Sequence, residues 1–515
     1  VAGSKTKIPD TDIDKLIIRQ PVIHFNQHSR NGNLNLNWEG GTVKNNNIEL
    51  SDLRINGNNT TGISLSRILL NLNHFTYSGH NGKKFDAGNG EISATMSDIK
   101  WHQQDGKKPE WKAKVDDFAA QNFYLDSLGK NHGKLVINKT GLKDLNISSS
   151  TINNLQKLAG ANSFFQLQQF TGNYKDDIKE LRWYNAGFNR NNRMFSLDSF
   201  TFNPVLPKDS FLAKLTYQKD YIKAGTGAVI IGPVDIDKYT KDSVLNIGKI
   251  RVDHAYMSDY KDKGLPFAAG TIKPLPVNMI KKIPLKLAVD TVQLNNASVE
   301  YTEVSEKTKL PGTIPVTRMS VNLFNINNYN YTSTDSLIIR AEGYVLDTVW
   351  VRLRVKESYT DSLGGFLMTL RLKPGDLTVL NPAIIPLASV KLISGRLDTL
   401  NMRAVGREYL SLGEMQMFYE DLKIQLLKNG KEEKRTFFTR LISFVANSFV
   451  IKKNNRSRTG NVFFIRQRDR SAINYLIKIA LSGMASSVGA KSNKKMIRRY
   501  KNELEKRGLP PIDFE

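Results

Sequence analysis

From residue 16 to about residue 427, apolar and polar side chains alternate with a period of two, interrupted by Asn, Gly, Asp and Lys. Val349, Val351, Leu353 and Val355 fall on one side of such a run, with Trp350, Arg352 and Arg354 on the other. Phe366, Met368, Leu370 and Leu372 repeat the pattern. Successive side chains of a strand point to opposite faces, so this alternation predicts antiparallel strands with one dry and one wet face. Turn dipeptides such as Gly364-Gly365 and Pro374-Gly375 separate the runs. The best helix candidate in this region is residues 150–159, with Ile152, Leu155 and Leu158 at helical spacing and Gly160 as its stop. A region this long and this poor in helices, without βαβ alternation, argues against Rossmann and TIM-barrel architectures.

After Leu427 the pattern changes. Residues 429–434 read as a polar turn, and Phe437, Phe438, Leu441, Ile442 and Val445 lie at helical spacing. Residues 448–468 predict a hairpin turning through 454–457. Ser471 then caps a helix whose stripe is Ile473, Leu476, Ile477, Ala480, Leu481, Met484 and Val488. A last helix over about 493–507 has the narrow stripe Met496, Ile497, Tyr500 and Leu504, flanked by Lys494, Lys495, Arg498, Arg499 and Lys501.

Charge sharpens this picture. The 515 residues carry a formal net charge of +25, and residues 431–515 hold 20 Lys+Arg against 7 Asp+Glu, a net +13. A basic block of this kind calls for an anionic partner. Base-stacking surfaces need aromatics among the cations, and residues 491–507 offer only Tyr500. No zinc-finger or RNP-like motif is present either, so nucleic acid is not the expected partner. A basic amphipathic helix fits an anionic membrane surface or a membrane-embedded protein partner instead. No window approaches 18 consecutive apolar residues. The chain begins at Val1 rather than Met, and the expectation is a processed or truncated N-terminus preceded by a signal peptide or membrane anchor. The lack of cysteine removes disulfides, thiolate metal sites and cysteine nucleophiles, and is compatible with an oxidising compartment.

The chemistry of catalysis is not written in local motifs. The seven histidines, His24, His28, His74, His80, His102, His132 and His254, form no HExxH and no spacing suited to a metal. Gly225-Thr226-Gly227 leads into a β-branched run and Gly232-Pro233 rather than the helix that a phosphate cradle requires. There is no GxSxG elbow and no GxxxxGK[ST] loop. No catalytic residue, metal or cofactor is expected, and an enzyme ranks behind a binding or structural protein.

A short pattern recurs: Asp, then Ser or Thr, then an apolar residue, as at Asp126-Ser127-Leu128, Asp290-Thr291-Val292, Asp347-Thr348-Val349 and Asp398-Thr399-Leu400. One reading is a strand-entry turn in which the Asp side chain accepts from nearby backbone N–H groups. The other is that it resembles the O-glycosylation acceptor of some Gram-negative envelope proteins, with Ser127, Thr291, Thr348 and Thr399 as acceptors.

Several phrases, taken together, carry a family resemblance: SVEYTE at 298–303 followed by TRMSVNLFNINN at 317–328, LNPAIIPLASVKLISGRLDTLNMRAVG at 380–406 leading into GEMQMFYEDLKIQLL at 413–427, then ANSFVIKKNN at 446–455 and NYLIKIALSGMASSVG at 474–489. This succession resembles the C-terminal half of bacterial AsmA-like proteins, of the repeating β-groove or bridge-like lipid transfer superfamily, over about residues 275–490. The resemblance implies a mainly β fold: a long twisted antiparallel sheet folded lengthwise into an open, β-taco-like groove, with a short α-helical C-terminal region. It divides the chain into an N-terminal groove part (1–270), an AsmA-like groove part (271–428) and a basic helix and hairpin cap (429–515). It implies a periplasmic, cell-envelope protein anchored by an N-terminal segment, with phospholipid acyl chains as cargo and a role in outer-membrane biogenesis. The groove lining expected on this basis is Val349, Val351, Leu353, Val355, Phe366, Met368, Leu370, Leu372, Met415 and Met417, unless these residues form an ordinary closed core. The cap would meet the membrane through Ile473, Leu476, Ile477, Leu481, Met484, Lys494, Lys495, Arg498 and Arg499. The alternative function is a scaffold or assembly factor for outer-membrane proteins, with a closed core and no lipid.

Overall fold

The structure, a computed structural model, describes residues 10–19, 22–29, 32–39, 47–56, 60–73, 75–78, 84–86, 91–104, 107–128, 131–162, 164–268, 270, 272–427, 451–490, 492–506 and 508. The expected helix around Phe437 to Val445 and the start of the expected hairpin lie outside them. The chain is mainly β, with short helices at its C-terminal end.

Strands β1 to β14 cover Thr11–Arg19, Val22–Ser29, Gly32–Glu39, Asn47–Asn56, Thr60–Asn73, Phe75–Ser78, Lys84–Asp86, Glu91–Gln104, Glu110–Leu128, Gly133–Ser148, Gln166–Lys175, Lys179–Asn189, Met194–Leu197 and Ser199–Pro204. Then come β15 (Tyr221–Thr226), β16 (Val229–Val234), β17 (Val244–Asp253), β18 (Tyr256–Asp262), β19 (Lys286–Val304) and β20 (Pro311–Asn327). The series closes with β21 (Ser336–Val345), β22 (Val349–Ser358), β23 (Phe366–Leu372), β24 (Gly375–Asp376), β25 (Val390–Gly406), β26 (Leu410–Leu426) and β27 (Thr459–Ile465). Among the described residues the helices are α1 (Leu155–Gly160), α2 (Lys208–Ala213), α3 (Ile236–Asp242), α4 (Pro276–Lys281), α5 (Asn381–Ala388), α6 (Ala472–Ser487) and α7 (Asn493–Lys506), with a 3-10 turn at Leu377–Leu380.

Two compact units result: Val1–Leu206 with Gly225–Gly248, and Pro207–Ala224 with Lys249–Glu515. This division differs from the expected three parts. The described C-terminal helices belong to the second unit, because their apolar sides pack on its last strands.

In the first unit, β1, β4, β5, β8, β9, β10, β11 and β12 pair antiparallel in that spatial order. The strands are long, and their alternation changes phase part-way along, at a bulge against the neighbouring strand on β8 and β12 and without a register shift on β4. On β4 the apolar positions run Ile48, Leu50 and then Leu53, Ile55; on β8 they run Ala94, Met96 and then Ile99, Trp101; on β12, Leu181, Trp183 and then Ala186, Phe188. Each three-residue step is taken at a residue with positive φ: Asp52 (49°), Asp98 (51°) and Asn185 (53°). Asp and Asn tolerate this left-handed conformation better than other non-glycine residues, which explains why they interrupt the runs. A bulge bends and twists the strand while keeping its apolar side chains on one face.

The second unit repeats this construction through β19, β20, β21, β22, β23, β25, β26 and β27, again antiparallel. The β18–β19 pairing departs from the antiparallel expectation: the two strands run parallel, Tyr256 opposite Ser298 through Asp262 opposite Val304. Two local expectations are also corrected. The helix sought at 150–159 begins only at Leu155, because the side chain of Asn154 accepts from the N–H of Lys157 while Thr151 and Ser148 hold a turn before it. Nor is there a hairpin at 454–457. Asn455 bridges to Tyr419 and β27 pairs with β26, so both segments lie along one strand. Between them Asn455 donates to the carbonyls of Met417 and Arg458 and accepts from the N–H of Arg458, folding 455–458 into a bump rather than a reversal.

Candidate functional site

The register of the first unit lines its apolar residues up across the strands. Ile18, Ile48, Leu70, Ala94, Phe118, Leu142, Leu167 and Phe188 stand opposite one another in succession from β1 to β12, and the file continues through Phe195 on β13 and Ile231 on β16. At about 4.8 Å per strand this file is on the order of 40 Å long. Apart from the buried Ala94 and the exposed Ile18, its side chains are half-buried. The two helices α1 and α3 of this unit are tied to each other, Gln156 donating to the carbonyls of Tyr239 and Thr240. The opposite face is polar: Arg54, Ser64, Lys100 and Lys112 form a file, and Asp117 faces Lys143 at 3.8 Å.

In the second unit the ten residues expected to line a groove do share one face. Val351 stands opposite Leu372, Leu353 opposite Leu370, and Val355 opposite Met368. Val355, Phe366, Met368, Leu370, Met415 and Met417 are buried in a closed core, however, and Val349, Val351, Leu353 and Leu372 are half-buried at its margin. The cover is α6, whose Tyr475, Ile479 and Ala480 enter that core. Tyr475 meets the ring of Phe366 edge-on at 5.7 Å and donates its hydroxyl to the Arg407 carbonyl.

The helical stripe is divided by this packing. Leu476 and Met484 pack against the core, while Ile473, Ile477 and Leu481 remain 66%, 52% and 48% exposed. Ser471 caps α6 as expected, accepting from the N–H of Asn474. Helix α7 lies on the other face of the sheet. Its Ile497 and Tyr500 pack on Val405, Leu412 and Phe463, which alternate with the core positions Ala404, Gly413 and Val462. Lys494, Lys495, Arg498 and Arg499 are all exposed. The exposed apolar row of α6 and the cations of α7 therefore do not form one surface. The sequence concealed the residue that enforces this. Asn493, fully buried, donates to the carbonyls of Asn461 and Ser482 and to the Ser482 hydroxyl, fixing the point where the chain passes round the sheet edge.

Below α6, charge is buried. Arg466, with no exposed side-chain surface, lies 2.8 Å from Glu408 and donates to the Lys273 carbonyl. Glu357, 1% exposed, accepts from the Val277 N–H at 3.2 Å. Burial, reinforced by the Glu408 carboxylate, pushes Glu357 up to about 7, against the pull of the Val277 N–H, Arg466 and Lys281. Asp259 is likewise pushed up to about 6 by burial and by the carboxylate of Asp220. Asp176 behaves in the opposite way. Burial alone would raise it, but the Lys179 ammonium 2.6 Å away and the N–H groups of Lys179 and Ile178 hold it at about 2.

Of the hydroxyls in the repeated Asp-Ser/Thr motif, Thr348 sits exposed in the turn between β21 and β22, whereas Thr291 and Thr399 are half-buried within β19 and β25. The side chain of Ser127 lies outside the described residues. Elsewhere the motif acts as a turn: Asp361 accepts from the N–H of Leu363, and Asp335 from that of Thr332.

Among the described residues, no group of three or more His, Asp or Glu could hold a metal ion, and no helix is long and apolar enough to cross a membrane. No family model, curated protein or solved structure matches the chain.

Proposed function

We propose that this chain is a non-enzymatic protein of a Gram-negative cell envelope that binds or conducts phospholipids between membranes and so supports outer-membrane biogenesis. The observation that carries this reading is the half-buried apolar file running from Ile18 to Ile231 across the first unit. Each methylene kept from water is worth about 0.8 kcal/mol, so two acyl chains of about fifteen methylenes would cost on the order of 20 kcal/mol to expose. A continuous apolar face offsets most of that barrier without any chemical step. The likeness of residues 275–490 to AsmA-like proteins supports the same reading. The lining then belongs to the first unit and to the half-buried Val349, Val351, Leu353 and Leu372, and not to the core beneath α6. Thr348, in its exposed turn, is the proposed glycan acceptor, and an intact mass equal to the sequence mass in the native host would dismiss it.

The test is direct. Protein purified from its own host is extracted with organic solvent, and the extract is compared by mass spectrometry with that of a matched control protein. Enriched phospholipid supports the proposal; none above the control rejects it. In that case the closed core of β23 to β27 favours the second reading, a scaffold or assembly factor without lipid.

A further inference from the structure

The polar face of the second unit carries an arrangement that neither the burial of acyl chains nor stability explains. Between β22 and β26 lies a depression of about 450 Å³ lined by Arg352, Arg354, Arg371, Arg403, Glu414 and Gln416, with Thr369, Asn401 and Thr459 beside them. The register brings arginines together here. Arg340, just outside the lining, stands directly opposite Arg354, and Arg352 directly opposite Arg371. Like charges at directly opposed positions destabilise a sheet, and here two such pairs lie side by side.

The carboxylates present do not compensate them. Glu342 accepts from both Nε and Nη2 of Arg352, at 3.1 and 2.9 Å, and is thereby committed to it. Glu414 stands opposite Arg403. Arg354 has Arg340 and Thr369 as its two cross-strand neighbours, and Arg371 has Arg352 and Asn401. Both side chains are exposed, and neither has a carboxylate opposite it. Two uncompensated guanidinium forks on neighbouring strands, next to hydroxyl and amide donors, suit one ligand chemistry above others. A phosphate accepts bidentately from planar guanidinium groups and supplies the negative charge that the opposed arginines lack.

We propose that this depression is a phosphate-binding site, with Arg354 and Arg371 as its principal ligands. The phosphate comes either from solution or from a lipid head group presented at a membrane surface, and the experiment separates the two. The full chain is titrated with inorganic phosphate and pyrophosphate by calorimetry. In a second arm it is floated with phosphatidylcholine vesicles with and without phosphatidic acid. The variants are Arg354→Gln/Arg371→Gln and a charge-matched control, Lys282→Gln/Lys286→Gln, which removes two exposed cations away from the depression.

The expected result is saturable binding in at least one arm, weakened about tenfold or more by the arginine pair and unchanged by the lysine pair, because hydrogen bonds to charged groups carry the affinity. Binding confined to soluble phosphate assigns the ligand to solution, and binding confined to phosphatidic acid assigns it to the membrane. A melting curve guards against a folding artefact. With phosphate removed, the arginine variant should melt at or above the wild-type temperature, since a repulsion has been relieved, and where soluble phosphate binds it should raise the melting temperature of the wild type and of the lysine control but not of the arginine variant. No saturable binding in either arm, or equal losses from the two double variants, overturns the proposal.

Discussion

A single carboxylate distinguishes an open apolar face from a closed core. Leu142 is half-buried in the file of the first unit, between Phe118 and Leu167, while Met415 is fully buried beneath α6, facing Met402 and close enough to Gly483 to fill its missing side chain. In Leu142→Asp the carboxylate keeps access to water, so the loss is part of one leucine's transfer energy, about 1 kcal/mol. In Met415→Asp the whole of a buried side chain's burial energy, about 1.5–3 kcal/mol, is lost. An unpaired buried charge adds several kcal/mol more in the dry interior. A total of at least about 5 kcal/mol is comparable with the stability of an ordinary domain. Urea titration followed by circular dichroism should therefore find Leu142→Asp close to wild type and Met415→Asp unfolded or nearly so. Co-purified phospholipid, measured on the same samples, should fall in Leu142→Asp although the fold persists. If Leu142→Asp destabilises as strongly as Met415→Asp, the face is covered and the reasoning fails. A folded Leu142→Asp that retains its full lipid content would contradict the assignment of that face.

The remaining predictions concern the second unit. Because Glu357 binds its proton more tightly folded than unfolded, stability should be greatest at or below pH 4.5, decline as pH rises towards about 7 and then level off. The full change for this group is about 3 kcal/mol, and Glu357→Gln should flatten that part of a denaturation profile measured against pH. Asn493→Ala leaves the Asn461 and Ser482 carbonyls without their donor, which should cost about 2–3 kcal/mol and free α7 for early tryptic cleavage, read by limited proteolysis. Changing Lys494, Lys495, Arg498 and Arg499 together to Gln should weaken salt-sensitive flotation with anionic vesicles, each cation near such a surface being worth about 1 kcal/mol. Flotation unaffected by salt and by this variant would leave α7 as a structural cover only.

Periodicity is a local property: the strands and their dry faces followed from alternation with a period of two, and the two C-terminal helices from stripes at helical spacing, because neighbouring residues alone decide which way a side chain points. Even the Asp and Asn residues that break the runs were visible in the sequence, although their role at Asp52, Asp98 and Asn185, shifting the phase of the alternation through a positive φ, needed the backbone angles to be read. Cover is not local. Met368 and Leu142 occupy equivalent places in alternating runs, yet one is sealed by a helix that begins about a hundred residues later and the other is left half-bare. The stripe of α6 looked like one contact surface because helical periodicity does not say how the helix is turned on the sheet; Tyr475 and Ile479, outside the expected stripe, turned inward beside Ala480, and Ile473 and Ile477 were left outside. The opposed arginines escaped the sequence for the same reason. Arg352 and Arg371 are nineteen positions apart in the chain, and only the antiparallel register of β22 and β23 makes them neighbours. Which strand pairs with which, and what finally covers each face, is fixed by contacts between distant segments, and these only the tertiary structure decided.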